Sequence, residues 1–369
     1  LGDVYKRQVL TLLDNLRKLN IEVELLCIME GVFTEEAREL GIPVTIIPQE
    51  KRWDLSVLSK VKKFINNCGC DLVHCHGARA NYISLFIRGG VKVPMITTLH
   101  SDYKLDFKDN PRKQLIYTPI NAFALRRYKH ILAVTKAFKY MLMLRGFKEE
   151  RIDVIYNGID FSQELQTYDM YTFFKNINVP HDLNKKYVGI AARLFAVKGV
   201  NVFLDMAKII ADKREDIDFI ILGNGEMWQQ CQDFIKGNKL ENRVYMAGQV
   251  TDPVMMNSYY KYIDVNTLTS YSESFPYALL EGARCKCATV ATAVGGIPEM
   301  IIDGESGCLV QSGDSKALAE CVEMLCDKDD IRIRYGVNFY ERAKENFSSQ
   351  AMANTHKKIY EKIIKENVK

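Results

Sequence analysis

Residues 264–285 read "DVNTLTSYSESFPYALLEGARC", and this stretch contains the unit from which the fold is predicted. The apolar run over 264–270 is typical of a buried strand, and a polar turn leads from it into an amphipathic helical pattern. The same order of strand and helix recurs along the chain, which favours parallel sheets covered by helices on both faces. The sequence therefore predicts an α/β fold.

The alternation of strand and helix is interrupted once. Residues 162–186 are polar, include Pro180 and have little strand character, so they are predicted to be a linker. We expect two doubly wound, Rossmann-like domains, 9–161 and 187–346, and a last amphipathic helix, 349–369, that could pack back on the first domain. In open sheets of this kind, ligands bind at the carboxyl ends of the strands.

Composition excludes several classes of protein. Of the 369 residues, 47% are hydrophobic and 26% are charged, as in globular proteins, and no uninterrupted apolar run reaches the length of about 18 residues that a membrane span needs. The ten cysteines have no regular spacing, which indicates reduced thiols in the cytoplasm. In "CGCDLVHCHG", residues 68–77, neighbouring strand residues face opposite sides of a sheet, so we expect no metal site there. The net charge of only +4 says little about partners, and we expect no nucleic-acid partner.

Two glutamates in the opening stretch are candidates for binding a polar ligand. Glu273 lies at the end of the strand pattern, and Glu281 lies inside the helix that follows. We expect Pro276 to be the first helical residue and Ser274 to be the N-cap. Free backbone N–H groups at the start of a helix can bind phosphate, and the carboxylates can accept hydrogen bonds from sugar hydroxyls.

Two cations follow another predicted strand. In "GIAARLFAVKGV", residues 189–200, Arg193 ends the strand and Lys198 precedes a glycine and a helix. Such a pair suits a diphosphate, although an ordinary exposed loop would also explain it. In "ILGNGE", residues 221–226, Gly223 and Gly225 lie on a further turn between strand and helix, where the backbone could pass close to a ligand.

Together these segments resemble a known family. "NGIDF", "ARLFAVKG", "ILGNGE", "SESFPYALLEGARC" and "TAVGGIPEMIIDGESGCLV" occur in the order found in the family 4 retaining glycosyltransferases, which have the GT-B fold. The resemblance extends over nearly the whole chain from Val9 onward. It implies transfer of a sugar from a nucleotide diphosphate-sugar, with UDP-sugars favoured, and no metal or other cofactor.

The resemblance also implies roles for individual residues. Glu281 would hold the ribose of the donor, Glu273 would contact hydroxyls of the transferred sugar, and Arg193 and Lys198 would stabilise the departing diphosphate. His100 would face the donor sugar, and His76 is a weaker candidate for contact with acceptor or donor. Further donor-binding positions are Ser274, Phe275, Pro276, Tyr277, Ala278, Gly223, Gly225 and Val250, the last of them near the base.

The charge distribution suggests where such an enzyme would act. Residues 111–148 contain nine Lys or Arg and no Asp or Glu. A basic, aromatic-rich stretch of this kind, Arg112 to Lys148, could lie on an anionic membrane surface, or it could be a solvated helix face. We expect a cytoplasmic protein, which could bind peripherally to the inner face of the membrane. A lipid-linked or saccharide acceptor in bacterial envelope or capsular polysaccharide synthesis would fit this setting.

The first residues do not resemble the start of a domain. Residues 3–8, "DVYKRQ", resemble a translated sequencing adapter, and the helix pattern begins near Val9. The family begins with a strand and a Gly-rich loop, which we therefore expect to be missing. Its loss would leave a gap or an open edge beside "IEVELLCIM", residues 21–29. Two alternatives to an active transferase remain: a nucleotide-sugar-binding protein without turnover, and a sugar epimerase on the same fold.

Overall fold

The chain folds into two units, each built on parallel β-strands, in a computed structural model that describes residues 2–49, 54–104 and 111–368. Unit 1 comprises Leu1–Gly158 and Ser349–Lys369, and unit 2 comprises Ile159–Ser348. The α/β class predicted from the sequence is confirmed. None of the helices in these described ranges is sufficiently long and apolar to cross a membrane.

Unit 1 alternates helices and short strands and ends with the last helix of the chain. Its elements are α1 (Gly2–Lys18), β1 (Leu25–Cys27), α2 (Val32–Glu39), β2 (Val44–Ile46), α3 (Ser56–Asn67), β3 (Val73–His76), α4 (Ala78–Ile87), β4 (Met95–Leu99), α5 (Pro111–Arg127), β5 (Ile131–Ala133), α6 (Lys136–Leu144), β6 (Ile152–Val154) and, from the end of the chain, α15 (Ser349–Val368).

Unit 2 repeats the alternation with longer strands. Its elements are α7 (Met170–Asn176), β7 (Lys186–Ala191), a 3-10 turn (Ala196–Lys198), α8 (Val200–Ala211), β8 (Ile217–Leu222), α9 (Trp228–Gly237), β9 (Val244–Gly248), α10 (Pro253–Tyr262), β10 (Val265–Leu268), α11 (Tyr277–Arg284), β11 (Ala288–Thr292), α12 (Ile297–Met300), β12 (Cys308–Val310), α13 (Ser315–Asp327) and α14 (Asp329–Asn346).

The strands of unit 2 form one six-stranded parallel sheet in the order β12-β11-β10-β7-β8-β9. Every residue of β8 is buried, as expected for a central parallel strand with helices on both of its faces. On one face, α8 contributes Phe203 and Ile210, both fully buried against Phe219 of β8. Chain order reverses beside β7, so the carboxyl ends of β7 and β10 form the switch point of the sheet, where ligands bind in such folds.

The strands of unit 1 form two separate parallel sheets, a pair β1-β2 and a four-stranded sheet β3-β4-β5-β6. Among the described residues, β1 is paired with β2 and with no other strand. Leu26 of β1 and Val73 of β3 nevertheless pack on one apolar cluster, which includes Val57 and Val61 of α3. In the described residues, the hydrogen-bonded sheet is therefore interrupted between β1 and β3. That the first strand of the family is missing stays a prediction.

The first helix begins earlier than the sequence pattern indicated. We expected helix from about Val9, but α1 runs from Gly2, and Leu1 lies outside the described residues. Leu12 and Leu16 are buried against Met352 and Ala353 of α15. Residues 2–8 therefore continue a helix whose later turns are fixed by packing, and they form no strand.

The prediction of a linker over 162–186 is wrong, because this segment belongs to unit 2 and contains α7. The Asp169 side chain accepts a hydrogen bond from the Thr172 backbone N–H (2.9 Å) and caps the helix. Phe173 and Phe174 are buried in the cluster around Tyr187. The polar composition of the segment concealed these two anchoring aromatic side chains.

Candidate active site

The cations and carboxylates predicted for the site follow two neighbouring strands of unit 2. Arg193 and Lys198 come after β7, and Glu273 comes after β10. These strands pair in parallel, with Val265 opposite Val188 and Thr267 opposite Ile190. Because the carboxyl ends of parallel neighbours meet at the same edge of a sheet, the two loops lie side by side.

Lys198 and Glu273 form an ion pair at this edge. The Lys198 Nζ lies 2.5 Å from the Glu273 Oε1, and the side chains are 20% and 9% exposed. A pair this shielded from water interacts more strongly than a surface pair. One cation and one carboxylate are therefore held together where a ligand of a doubly wound fold is expected.

Backbone contacts fix the loop that contains Lys198 against the loop that contains Glu273. The Thr269 hydroxyl donates to the carbonyl oxygens of Lys198 (3.1 Å) and Gly199 (2.9 Å), and the Tyr271 N–H donates to the Val197 carbonyl (2.8 Å). Gly199 has φ +63°, and a Cβ there would lie 2.0 Å from the Thr269 carbonyl oxygen. Only glycine allows this approach, which places the preceding Lys198 beside Glu273.

Two residues that the sequence analysis did not single out support Glu273. The Ser270 hydroxyl donates to the Glu273 Oε1 over 2.7 Å. Gly295 has φ +54°, and a Cβ there would lie 1.7 Å from the Glu273 carbonyl oxygen. The available signals were a hydroxyl three residues before the glutamate and the "GG" of "TAVGGIPE".

The start of α11 differs from the prediction. We expected Ser274 as N-cap and Pro276 as the first helical residue, but the N-cap is Pro276 and the helix begins at Tyr277. Pro276 has extended backbone angles and no side-chain acceptor, so no side-chain hydrogen bond caps this helix. Phe275 is buried against the Phe347 ring (5.4 Å between centroids), so contact with a ligand would have to come from its backbone.

Glu281 lies inside the predicted helix, whereas Arg193 lies just beyond the end of β7 and not at its last position. Glu281 is half-buried on α11, and it lies close enough to Tyr260 that burial first, and the Glu281 charge second, raise the pKa of that phenol. Arg193 is exposed, and its guanidinium carbon lies 5.3 Å from the centroid of the Phe195 ring. The exposed guanidinium is accessible to an anion from solvent.

Gly223 and Gly225 approach protein backbone. A Cβ at Gly223 would lie 1.8 Å from the Ala192 carbonyl oxygen, and one at Gly225 would lie 2.5 Å from the Leu194 carbonyl oxygen. These glycines therefore allow the turn after β8 to pack on the loop after β7, and a donor-binding role for them stays a prediction. Val250, which follows β9, is partly buried in the cluster around Met255.

Unit 1 brings the two predicted histidines together with two others. His76 ends β3 and His100 follows β4, and the His76 Nδ1 lies 3.2 Å from the His100 Nε2. The His74 ring is 4.1 Å from that of His76 and 5.9 Å from that of His356 on α15. His74 is also hydrogen-bonded to Thr98 (2.7 Å) and to Tyr360 of α15 (2.6 Å).

These four histidines are neutral near pH 7. Burial lowers the pKa of His76 to about 3 and that of His356 to about 4. Burial, followed by the neighbouring imidazoles, also holds the pKa values of His74 and His100 well below the usual range. His76 and His100 thus lie together at one edge of the sheet, and α15 supplies partners that the local sequence did not reveal.

The D-x-D segment of unit 2 has structural partners. The Asp216-Ile217-Asp218 segment begins β8, where Asp218 is 2% exposed and binds Lys185 (2.9 Å) and Arg243 (2.8 Å). Over the described ranges, no group of three or more His, Cys, Asp or Glu side chains is arranged to hold a metal ion.

A cavity of about 260 Å³ lies in unit 1, away from His76 and His100. It is lined by residues before β4 and β5, among them Pro94 and His130, and by Ile363 of α15. It is therefore at the amino ends of the strands, opposite to the edge where the predicted site residues lie.

Two family models match this chain, one to each of its halves. "Glycosyltransferase Family 4" matches residues 6–163, and "Glycosyl transferases group 1" matches residues 173–346.

Curated relatives and solved structures agree with these matches. The chain is 25% identical to the capsular polysaccharide biosynthesis glycosyltransferase CapM of Staphylococcus aureus, over 64% of this chain and 62% of that protein. It is 24% identical to N,N'-diacetylbacillosaminyl-diphospho-undecaprenol alpha-1,3-N-acetylgalactosaminyltransferase of Campylobacter jejuni, over 90% and 89% of the two chains. The crystal structure of Anabaena HepE in complex with UDP shares the fold with a TM-score of 0.79 at 20% identity, over 97% of this chain and 96% of that one.

Proposed function

This chain belongs to the family 4 glycosyltransferases with the GT-B fold, and we propose that it moves a sugar from a nucleotide diphosphate-sugar to an acceptor hydroxyl with retention of configuration. The observation that carries the proposal is the Lys198–Glu273 pair at the switch point of the unit 2 sheet. UDP-sugars are the favoured donors, and the UDP bound to the Anabaena structure of the same fold supports this choice.

The chemistry assigns complementary roles to the charges of unit 2. As the bond between the sugar and the diphosphate breaks, negative charge grows on the leaving oxygen, and Lys198 and Arg193 stabilise it. Glu273 accepts hydrogen bonds from hydroxyls of the sugar, and Glu281 holds the ribose. The acceptor oxygen bonds to the anomeric carbon on the face that the diphosphate leaves, and the acceptor proton passes to the departing phosphate.

We extend the proposal to unit 1 and to the absence of a metal requirement. His100 is neutral near pH 7 and follows β4 at the carboxyl edge of its sheet, which suits a hydrogen bond to the transferred sugar. With two cations assigned to the diphosphate, we propose that no divalent cation is needed.

The acceptor is proposed to be a lipid-linked or saccharide hydroxyl in envelope or capsule synthesis. Two similarities support this proposal, one to the capsular polysaccharide enzyme of Staphylococcus aureus and one to the Campylobacter jejuni transferase, whose name specifies a diphospho-undecaprenol substrate.

The surface of α5 supports binding to an anionic membrane. Leu115, Ile116 and Phe123 are 79%, 54% and 49% exposed, and Arg126 and Arg127 on the same helix are exposed as well. Exposed apolar side chains flanked by cations suit the headgroup region of an anionic bilayer. This combination favours the membrane interpretation over a purely solvated helix face.

Co-sedimentation with vesicles tests the membrane proposal. We expect more protein to bind phosphatidylglycerol vesicles than phosphatidylcholine vesicles, and Ile116→Ser with Arg127→Glu to abolish the difference. Ile333→Ser with Arg334→Glu, on the exposed face of α14, is the matched control. Equal binding to both vesicle types, or equal loss in both double variants, would exclude this surface.

Turnover with a panel of UDP-, GDP- and ADP-sugars tests the main proposal. Loss of one charged contact to the diphosphate should lower kcat by about 10²- to 10³-fold in Lys198→Ala. Glu281→Ala should mainly weaken nucleotide binding, which calorimetry with UDP measures. Lys213→Ala and Glu241→Ala, both at exposed positions, serve as controls. Full activity of both site variants would refute the site assignment.

A second candidate function is binding of a nucleotide-sugar without turnover. The division of the unit 1 strands into two sheets favours it, since the sheet of unit 2 is continuous. Calorimetric binding of UDP-glucose together with neither transfer nor hydrolysis of any donor would support this candidate over the transferase.

A further inference from the structure

Ser270 is a fully buried residue in contact with the Lys198–Glu273 pair. Its Oγ lies 2.7 Å from the Glu273 Oε1, the same oxygen that the Lys198 Nζ contacts. An ionised carboxylate can only accept hydrogen bonds, so the Ser270 hydroxyl must donate. A single carboxylate oxygen thus receives two donors, one neutral and one charged.

The backbone of Ser270 is itself held in place. The hydroxyl of Thr292, also fully buried, donates to the Ser270 carbonyl over 2.7 Å. On one side the neighbouring Thr269 hydroxyl bonds to the Gly199 carbonyl, and on the other the Glu273 carbonyl packs against Gly295. The Ser270 hydroxyl therefore projects from rigid backbone, as a residue that orients a reacting group requires.

A purely local role for Ser270 fits these contacts less well. Serine side chains in turns usually bond to nearby backbone groups, whereas the Ser270 hydroxyl bonds to the Glu273 side chain. An alanine would fill the buried position almost as well. What serine adds over alanine at this position is therefore the hydrogen bond to the Glu273 side chain.

We infer that Ser270 is a positioning residue, which holds Glu273 in the orientation that pairs with Lys198 and leaves its second carboxylate oxygen for a hydroxyl of the donor sugar. The inference rests on the proposed function, because it takes Glu273 as the group that contacts the sugar. It assigns Ser270 no contact with substrate.

A double-mutant cycle tests the inference. A hydrogen bond to a charged group is worth enough that Ser270→Ala should lower kcat for the best donor of the panel by about tenfold. In a Glu273→Gln background the same change should alter kcat by less than about twofold, because the group to be oriented has already changed. Ser270→Cys, with a similar volume and a weaker donor, should give an intermediate loss.

Binding and stability measurements complete the test. Calorimetry should find weaker binding of UDP-glucose by Ser270→Ala and unchanged binding of UDP, which lacks the sugar. The control is Ser258→Ala, a fully buried serine on α10 whose hydroxyl bonds to the Val254 carbonyl (2.7 Å). It should lower the unfolding temperature and leave kcat unchanged.

The outcomes separate this inference from the proposed function. If Glu273→Gln and Lys198→Ala match the parent protein in turnover and in UDP-glucose binding, the proposed site is wrong. If both variants lose function while Ser270→Ala keeps it, or while the effects of Ser270→Ala and Glu273→Gln simply multiply, only the role of Ser270 is wrong. If Ser270→Ala does not fold, the same kcat and UDP-glucose binding measurements on Ser270→Cys decide the matter, and parent-like values for Ser270→Cys would then overturn the inference.

Discussion

The buried histidines of unit 1 should make it sensitive to mild acid. His76 and His356 are neutral in the folded protein, with burial lowering their pKa values from 6.5 to about 3 and about 4. In the unfolded chain each takes up a proton below about pH 6.5. Because the unfolded state then binds more protons, the stability present above pH 6.5 is lost as the pH falls toward the folded pKa values.

The size of the effect follows from these pKa values. At pH 5, a histidine that remains neutral in the folded protein and titrates normally in the unfolded chain lowers the free energy of unfolding by about 2 kcal/mol. His356 is 1% exposed and should contribute this in full, whereas partly exposed His76 should contribute about 1 kcal/mol after screening by solvent. A combined loss of about 3 kcal/mol is a large fraction of the 5–15 kcal/mol typical of a folded protein.

Urea denaturation at pH 7.5 and pH 5, with hydrogen exchange to assign the loss to β3, β4 and α15, measures this effect. The His356→Gln variant cannot take up this proton. Its loss of unfolding free energy between pH 7.5 and pH 5 should therefore be about 2 kcal/mol smaller than that of the parent protein. His181→Gln, at an exposed position in unit 2, should keep the full dependence. An equal pH dependence in His356→Gln and the parent protein would refute the reasoning.

Three other predictions concern unit 2 and the cofactor. Asp218→Asn should destabilise unit 2 by about 3 kcal/mol in thermal unfolding, because Lys185 and Arg243 would lose their buried carboxylate; an unchanged unfolding temperature would contradict this. Gly295→Ala should lower kcat by at least about tenfold, because its φ of +54° and the contact with the Glu273 carbonyl leave no room for a Cβ; normal kinetics would show that the loop adapts freely. Finally, donor turnover should be unaffected by an excess of EDTA, and its restoration by Mg²⁺ after chelation would disprove metal independence.

The sequence predicted features that depend on local pattern. Strand and helix periods indicated the parallel sheets. The "ARLFAVKG" and "SESFPYALLEGARC" segments contain Lys198 and Glu273, which form an ion pair although they are 75 positions apart in the chain. Short strands were less visible. We did not predict β2 or β12, each of three residues, because so few residues give no clear period.

Other features depended on contacts that no local pattern reports. The start of α11 could not be predicted because Pro276 takes extended backbone angles and precedes the helix. The His74–Tyr360 hydrogen bond joins residues 286 positions apart, so its effect on the histidine cluster could not be read from either segment. The linker prediction failed for a similar reason, since Phe173 and Phe174 find their partners on β7 and α10.

The return of α15 to unit 1 has a consequence for synthesis on the ribosome. Unit 2 occupies the middle of the chain and has all its elements once residue 348 has emerged, whereas unit 1 still lacks Met352, Tyr360 and Ile363 of its core. The unit that begins first along the chain is therefore completed last. Until the final helix arrives, the apolar faces of α1 and of the β5 region remain uncovered, and a nascent chain at that stage would be a substrate for chaperones.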